Sequence, residues 1–339
     1  MRLGVLLLTD TVCELEFITH NNRRNKMIPF ARMLEYGNVV TQVIRGIFST
    51  EVTTGVKPPN RTMTRCTSDG TYIYCIAGNS SGGSTAQSNT VSRYNPTTKE
   101  WAVLSVLPVN LLYQGVQYLD GKIYVCGGTS NTSTVVDNSL YVYDIQTDTW
   151  STVITTGVNM RNKRYFNLVT DGTYIYGCGE DADTLSGTGN LYRLDLETLD
   201  WSLLSTTGTG INGLSQKLIG YMGTNTVYLN GSIYNVNGDG YLKIYNISTG
   251  VWSAHGQVPY NGGCNLVVAL GRVYMITRYS DVYMLDDSNI FVRAPDNVTG
   301  TIWYASEHCA LHTDGSAVIY QFFGGTRATS LNTIVKKIT

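Results

Sequence analysis

The sequence predicts an all-β protein, a six-bladed β-propeller whose ring is closed by a strand near the N-terminus. Three observations carry this. A glycine-centred turn followed by a β-rich run with a tyrosine recurs six times. Four tryptophans each follow a tyrosine or leucine by seven residues. The segment FSTEVTTGV (48–56) nearly repeats WSTVITTGV (150–158). Self-similarity at intervals of 40 to 58 residues marks one small sheet per repeat, stacked radially.

The first element of each repeat is the turn with its tyrosine strand. The six are SDGTYIYC (68–75), LDGKIYVC (119–126), TDGTYIYG (170–177), LNGSIYNV (229–236), LGRVYMIT (270–277) and TDGSAVIYQ (313–321). Their anchoring tyrosines are Tyr74, Tyr124, Tyr176, Tyr234, Tyr274 and Tyr320. Asp-Gly and Asn-Gly pairs flanked by β-formers are hairpin turns, not phosphate cradles. A glycine stop follows, at Gly78, Gly127–Gly128 or Gly179, and then a variable loop. Glycine there leaves room where inner strands crowd the axis.

The next two strands read VSRYNPTTKEW (91–101), SLYVYDIQTDTW (139–150), NLYRLDLETLDW (190–201) and LKIYNISTGVW (242–252). Tyr94, Tyr143, Leu194 and Tyr245 precede Trp101, Trp150, Trp201 and Trp252, with Asn, Asp, Pro or Gly between them. Those turn formers reverse the chain, so each tryptophan returns beside the previous strand and packs between blades. In the fifth repeat Phe291 stands for tryptophan, and the sixth stops at its third strand, NTIVKKIT (332–339). Residues 46–54 are therefore expected to complete the last blade, with Phe48 at its tryptophan position. That pairing removes an open sheet edge. The domains expected are a non-repeat extension, 1–40, acting as a tail or docking arm, and a propeller, 41–339.

The order of hydrophobic strand, glycine doublet, loop, then tyrosine and tryptophan at fixed separation resembles the kelch repeat. It covers residues 60–339 and is strongest in the first four repeats. Only Gly127–Gly128 and Gly324–Gly325 keep the full doublet. The resemblance implies a propeller that presents loops to a partner.

Composition narrows the function. Charged residues make up 14% of the chain, and 24 basic against 25 acidic side chains create no global field. Nucleic acid is thus an unexpected partner. MRLGVLLL places Arg2 before a short apolar run, but Asp10 and Glu14 follow and no cleavage site is visible, so no clear signal peptide is expected. No run reaches the roughly 18 apolar residues of a membrane helix.

Seven cysteines is an odd count. Cys75, Cys126 and Cys178 occupy nearly the same place in successive repeats and read as small buried apolar residues. No CxxC pair or Cys/His cluster suggests zinc, and neither metal nor cofactor is expected among His20, His255, His308 and His312.

Counting back from each turn glycine, the inner-strand positions nearest the mouth hold Arg65, Tyr113, Arg164, Cys264, Glu307 and His308. Two readings stay open. Arg65 and Arg164 grip a carboxylate, with Glu307 or His308 as acid or base, or these side chains satisfy one another around a water-filled channel. A Walker loop and H-E-x-x-H are both absent from the sequence.

The function expected is a non-enzymatic interaction module. Loops 79–90, 129–138 and 180–189 are rich in Ser, Thr, Asn and Gly, which adapt to a protein or a surface glycan. Sparse charge and abundant Thr, Asn, Gly and Tyr resemble bacteriophage virion and tail proteins, which implies a virion-attached propeller. The alternative is a sugar mutarotase or epimerase working in the mouth, because bacterial sialic-acid mutarotases resemble this chain in their blades. A third is a cytoplasmic kelch adaptor.

Overall fold

The computed structural model describes residues 6–9, 12–15, 48–59, 61, 64–79, 87–130, 138–160, 163–181, 190–204, 207–208, 225–236, 240–259, 264–277, 281–294, 308–313, 317–322 and 335–338. Among them every regular element is a strand. The chain divides into two compact units, residues 1–43 and 44–339. In the first, Leu6–Thr9 pairs antiparallel with Val12–Leu15.

Among the described residues the second unit holds six sheets of four or five strands. In the first sheet, Arg65–Ser68, Ile73–Asn79, Gln87–Asn95 and Glu100–Leu104 follow one another from inside to outside, each antiparallel to the last. The other sheets repeat that order, with inner strands Leu112–Leu119, Lys163–Thr170, Thr226–Leu229, Cys264–Ala269 and His308–Thr313. Each inner strand neighbours that of the next sheet, and the sixth neighbours the first. This unit is a β-propeller.

The seven-residue spacing has a plain cause. Tyr94 lies directly opposite Trp101, Tyr143 opposite Trp150, Leu194 opposite Trp201 and Tyr245 opposite Trp252. The three tyrosine rings sit 5.0 to 5.1 Å from their tryptophans. Between each pair an Asn or Asp side chain caps the turn; Asp144 Oδ1, for example, accepts the Gln146 and Thr147 amides. Trp150, Trp201 and Trp252 each serve two sheets. Trp201 packs with Leu119, Cys126 and Leu140 of the second sheet, and Trp252 with Val169, Tyr176 and Leu191 of the third. Trp101, Trp201 and Trp252 are 1% exposed. Trp150 is half-buried, and its indole N–H donates to the Ser105 carbonyl of the first sheet at 2.9 Å.

The Thr-Gly of the 48–56 and 150–158 segments does separate work. Thr54–Gly55, Thr156–Gly157 and Thr207–Gly208 leave one outer strand and add a fifth, parallel strand beside the tryptophan of the next sheet. A Cβ on Gly157 would lie 2.1 Å from the Trp201 carbonyl oxygen, and one on Gly55 2.2 Å from that of Trp101. Only glycine admits this approach.

The sixth sheet takes its outer strand from the other end of the unit. Phe48–Glu51 pairs antiparallel with Val335–Ile338, with Phe48 opposite Ile338. Phe291 is buried opposite Leu285 at the corresponding place in the fifth sheet.

Candidate functional site

The inner strands enclose a channel with a cavity of about 370 Å³. Strand register shows which residues share a level along it. Arg65 lies opposite Ile76, Gly115 opposite Cys126, Asn167 opposite Cys178, Asn265 opposite Ile276 and His308 opposite Phe322. The Val236 amide donates to the Asn225 carbonyl and sets Asn225 at that level too. Arg65, Asn167, Asn225 and Asn265 are all at most 5% exposed.

This collar is polar and weakly charged. Arg65 is the only charged side chain among the described residues lining the cavity. Its Nε donates to the Gln114 carbonyl of the next inner strand at 3.1 Å. Asn167 Nδ2 donates to Asn225 Oδ1 at 3.1 Å, and Asn225 Nδ2 to the Val236 carbonyl at 2.7 Å. Asn167 Oδ1 is buried and accepts no hydrogen bond from the described residues. An acceptor so placed favours a polar guest.

Two tyrosines stand at matching places just before this level. Tyr113 has φ 64° and Tyr165 has φ 49°, in the left-handed region that non-glycine residues avoid. Tyr165 lies in a bulge of its inner strand, where the register shifts between Arg164 and Asn167, whereas the second-sheet register runs unchanged past Tyr113. Their ring centroids are 4.4 Å apart. On the second sheet the glycine doublet faces this stretch of the inner strand. A Cβ on Gly128 would meet the Leu112 carbonyl at 2.8 Å, and one on Gly127 the Phe166 ring at 2.8 Å. Because Thr129 lies opposite Leu112, the chain after Ser130 departs from the same end of the sheet as Tyr113.

The residues read from the sequence are thus partly brought together. Arg65 and His308 occupy one level of the ring. Tyr113 stands two residues, and Arg164 three, toward the strand starts from that level, while Cys264 is its immediate neighbour. Glu307 lies outside the described residues, as do 80–86, 131–137 and 182–189 of the loops. The count from the turn glycines slipped because turn lengths differ: Asp-Gly-Thr in the first and third sheets, a tighter Asp-Gly or Asn-Gly in the second and fourth. That slip hid Asn167, Asn225 and Asn265. Matching strands from their tyrosines instead would have found them.

Cys75 is fully buried, as expected of a small core residue, and it also has a sulfur neighbour. It lies opposite Cys66, with the sulfurs 3.2 Å apart. Cys126 and Cys178 are buried free thiols as expected, and Cys264 is one too; burial pushes Cys178 up to about 11 and Cys264 to about 12. Among the described residues no three His, Cys, Asp or Glu side chains converge as a metal site.

A family profile described as the KLHDC2/KLHL20/DRC7 Kelch-repeats domain matches residues 39–232, more than half of the chain. The chain belongs to the kelch-repeat family. An F-box/kelch-repeat protein of Arabidopsis thaliana is 33% identical to this kelch chain over 106 residues, 29% of the chain and 30% of that protein. An N-(sulfonatooxy)prop-2-enimidothioate sulfolyase of Thlaspi arvense is 29% identical over 204 residues, 52% of the chain and 58% of that protein. The matches therefore span less than two thirds of either relative. Neither relative is named as a virion protein or a mutarotase. No helix among the described residues is long and apolar enough to cross a membrane.

Proposed function

We propose that this kelch chain is a protein-interaction module. Its scaffold is a six-bladed ring shut by the Phe48–Glu51 strand. It grips a partner segment at the mouth formed by Tyr113, Tyr165 and Arg65. The observation that supports this most is the pair of tyrosines held at positive φ with their rings in contact. Strain of this kind is retained where surrounding structure enforces it, and it clusters at binding surfaces. Tyrosine adds large contact area with few rotamers to lose, and Arg65 supplies a single fixed cation. His308 belongs to the same level, and Arg164 to the same strand end as Tyr165. Residues 1–40 form a second docking element in this reading. A virion-borne partner or a surface glycan would be narrower forms of it, with no support from the relatives.

The test is affinity purification from the host with the intact chain, against a Tyr113→Ser/Tyr165→Ser variant of equal melting temperature. Loss of a hot-spot pair should weaken partner recovery by about tenfold or more. An unchanged partner set would overturn the reading.

The sulfolyase relative favours a second reading, a small-molecule reaction in the channel, with Arg65 placed to hold an anionic sulfonatooxy group. Release of sulfate from N-(sulfonatooxy)prop-2-enimidothioate, lost in Arg65→Gln, would support it. No release by the wild-type chain would remove it.

A further inference from the structure

One cross-strand slot recurs in every sheet, directly after the anchoring tyrosine on the second strand. It holds Val116 and Val125 in the second sheet, Leu168 and Gly177 in the third, Thr226 and Asn235 in the fourth, and Leu266 and Met275 in the fifth. The sixth sheet pairs Cys309 with Gln321 there. Only the first sheet puts two cysteines face to face, Cys66 and Cys75, with sulfurs 3.2 Å apart. Directly opposed residues of an antiparallel pair have Cβ atoms close to the separation a disulfide requires.

The hairpin that carries them is pinned from its turn. Asp69 Oδ1 accepts the Thr71 and Tyr72 amides at 2.7 and 2.6 Å, and Asp69 Oδ2 accepts the Tyr74 hydroxyl at 2.8 Å. These bonds fix the register, so the two sulfurs stay opposed. The thiols also differ in access. Cys66 is half-buried and lines the channel cavity, while Cys75 is fully buried behind it.

A cation stands close by. The Arg61 guanidinium is buried, and it donates to Ser92 Oγ at 2.7 Å and to the Thr90 carbonyl at 2.6 Å. Burial lowers its affinity for a proton, and the Cys75 and Cys66 sulfurs push the other way. No such cation acts on Cys126, Cys178 or Cys264. Burial alone raises Cys126 and Cys264 and, against a Thr226 hydroxyl, Cys178.

We propose that Cys66 and Cys75 are a redox modification site, forming a reversible cross-strand disulfide in the channel wall when peroxide enters the channel. The Cys66 thiolate attacks one oxygen of hydrogen peroxide; the O–O bond breaks, hydroxide leaves, and Cys66 becomes a sulfenic acid. Cys75 sulfur then attacks Cys66 sulfur. The S–S bond forms, the S–O bond breaks, and the Cys75 proton leaves with the hydroxyl as water. Two electrons pass from the thiols to the peroxide, and a dithiol reductant reverses the change. The bridge ties the strand bearing Arg65 to its neighbour and withdraws the Cys66 sulfur from the cavity. None of this depends on the interaction role proposed above.

The test uses the intact folded chain, exposed to hydrogen peroxide, alkylated and digested with trypsin. Both cysteines fall in one tryptic peptide, residues 66–93, which holds no other cysteine. That peptide should lose two hydrogens and both alkyl groups, and regain both after dithiothreitol, while the peptides holding Cys126, Cys178 and Cys264 stay alkylated. In Cys75→Ser the reaction should stop at Cys66 sulfenic acid, captured by dimedone. Full alkylation of Cys66 and Cys75 after peroxide, or Cys66 sulfinic acid beside alkylated Cys75, would overturn the proposal. So would a Cys75→Ser chain that takes up no dimedone.

Discussion

The first and third sheets are near copies at their turns and outer strands, and they part company at the axis. Both turns read Asp-Gly-Thr-Tyr-Ile-Tyr, and in each the second tyrosine donates to the turn aspartate at 2.8 Å. Both place an arginine over the first tyrosine, Arg93 at 4.6 Å from Tyr72 and Arg193 at 4.5 Å from Tyr174. Both receive a Thr-Gly strand beside a buried tryptophan. At the channel, however, Cys66 and Cys75 stand where the third sheet has Leu168 and Gly177. There a Cβ on Gly177 would lie 2.5 Å from the Phe166 ring. Turn and outer positions must fit a neighbouring sheet and are held alike. Axial positions face a cavity and are free to diverge, which is where chemistry collects.

If the outer halves are equivalent, matched substitutions must cost the same. The largest effect is expected from Trp101→Ala and Trp201→Ala, each 1% exposed in the wild-type chain. Each should destabilise by about 3–5 kcal/mol, because the emptied site lies between two sheets that cannot collapse independently. Urea denaturation measures both, and a difference above about 2 kcal/mol would show that one inter-sheet site relaxes. Next come Gly55→Ala and Gly157→Ala. Both have φ near +77° (77° and 76°) and a tryptophan carbonyl where the methyl would go. The fifth strand must shift or detach, at about 2–3 kcal/mol. A neutral result at either site would mean that its Thr-Gly strand adds nothing to the sheet.

Much of this was legible in the sequence, for a physical reason. Tyrosine opposite tryptophan, glycine at the stops and Asx residues in the turns recur because every sheet solves the same packing problem. The near-match of 48–56 to 150–158 exposed two things at once: the outer strand at Phe48 and the Thr-Gly exit. That the exit pairs in parallel with the next sheet was not readable, since parallel pairing leaves no pattern in a two-residue strand. The channel was hardest. Arg65 and His308, both named from the sequence, share one level, but Asn167, Asn225 and Asn265 depend on register, which the unequal turns obscured. Cys66 and Cys75 are nine apart with an unremarkable turn between them, and only strand pairing sets them sulfur to sulfur. Tyr113 and Tyr165 read as ordinary strand tyrosines, and nothing in their sequence marks their positive φ values.

The smallest expected effect separates the two sheets again. Lys99 and Leu199 hold the same turn position, at φ 59° and 57°, two residues before their tryptophans. Glycine at either place removes backbone strain worth about 1 kcal/mol. The side chains lost are not alike. Lys99 Nζ lies 2.5 Å from Glu51 Oε2, and the Glu51 side chain is only 9% exposed. Lys99→Gly strands that carboxylate away from water, so the strain relief is overrun and the chain should lose about 1 kcal/mol. Leu199 makes no ion pair, and its half-buried side chain gives up a contact comparable to the strain removed, so Leu199→Gly should stay within about 0.5 kcal/mol of the wild type. Paired denaturation curves decide it. Equal shifts for the two variants would mean that the Lys99–Glu51 pair contributes nothing to holding the Phe48–Glu51 strand on the ring.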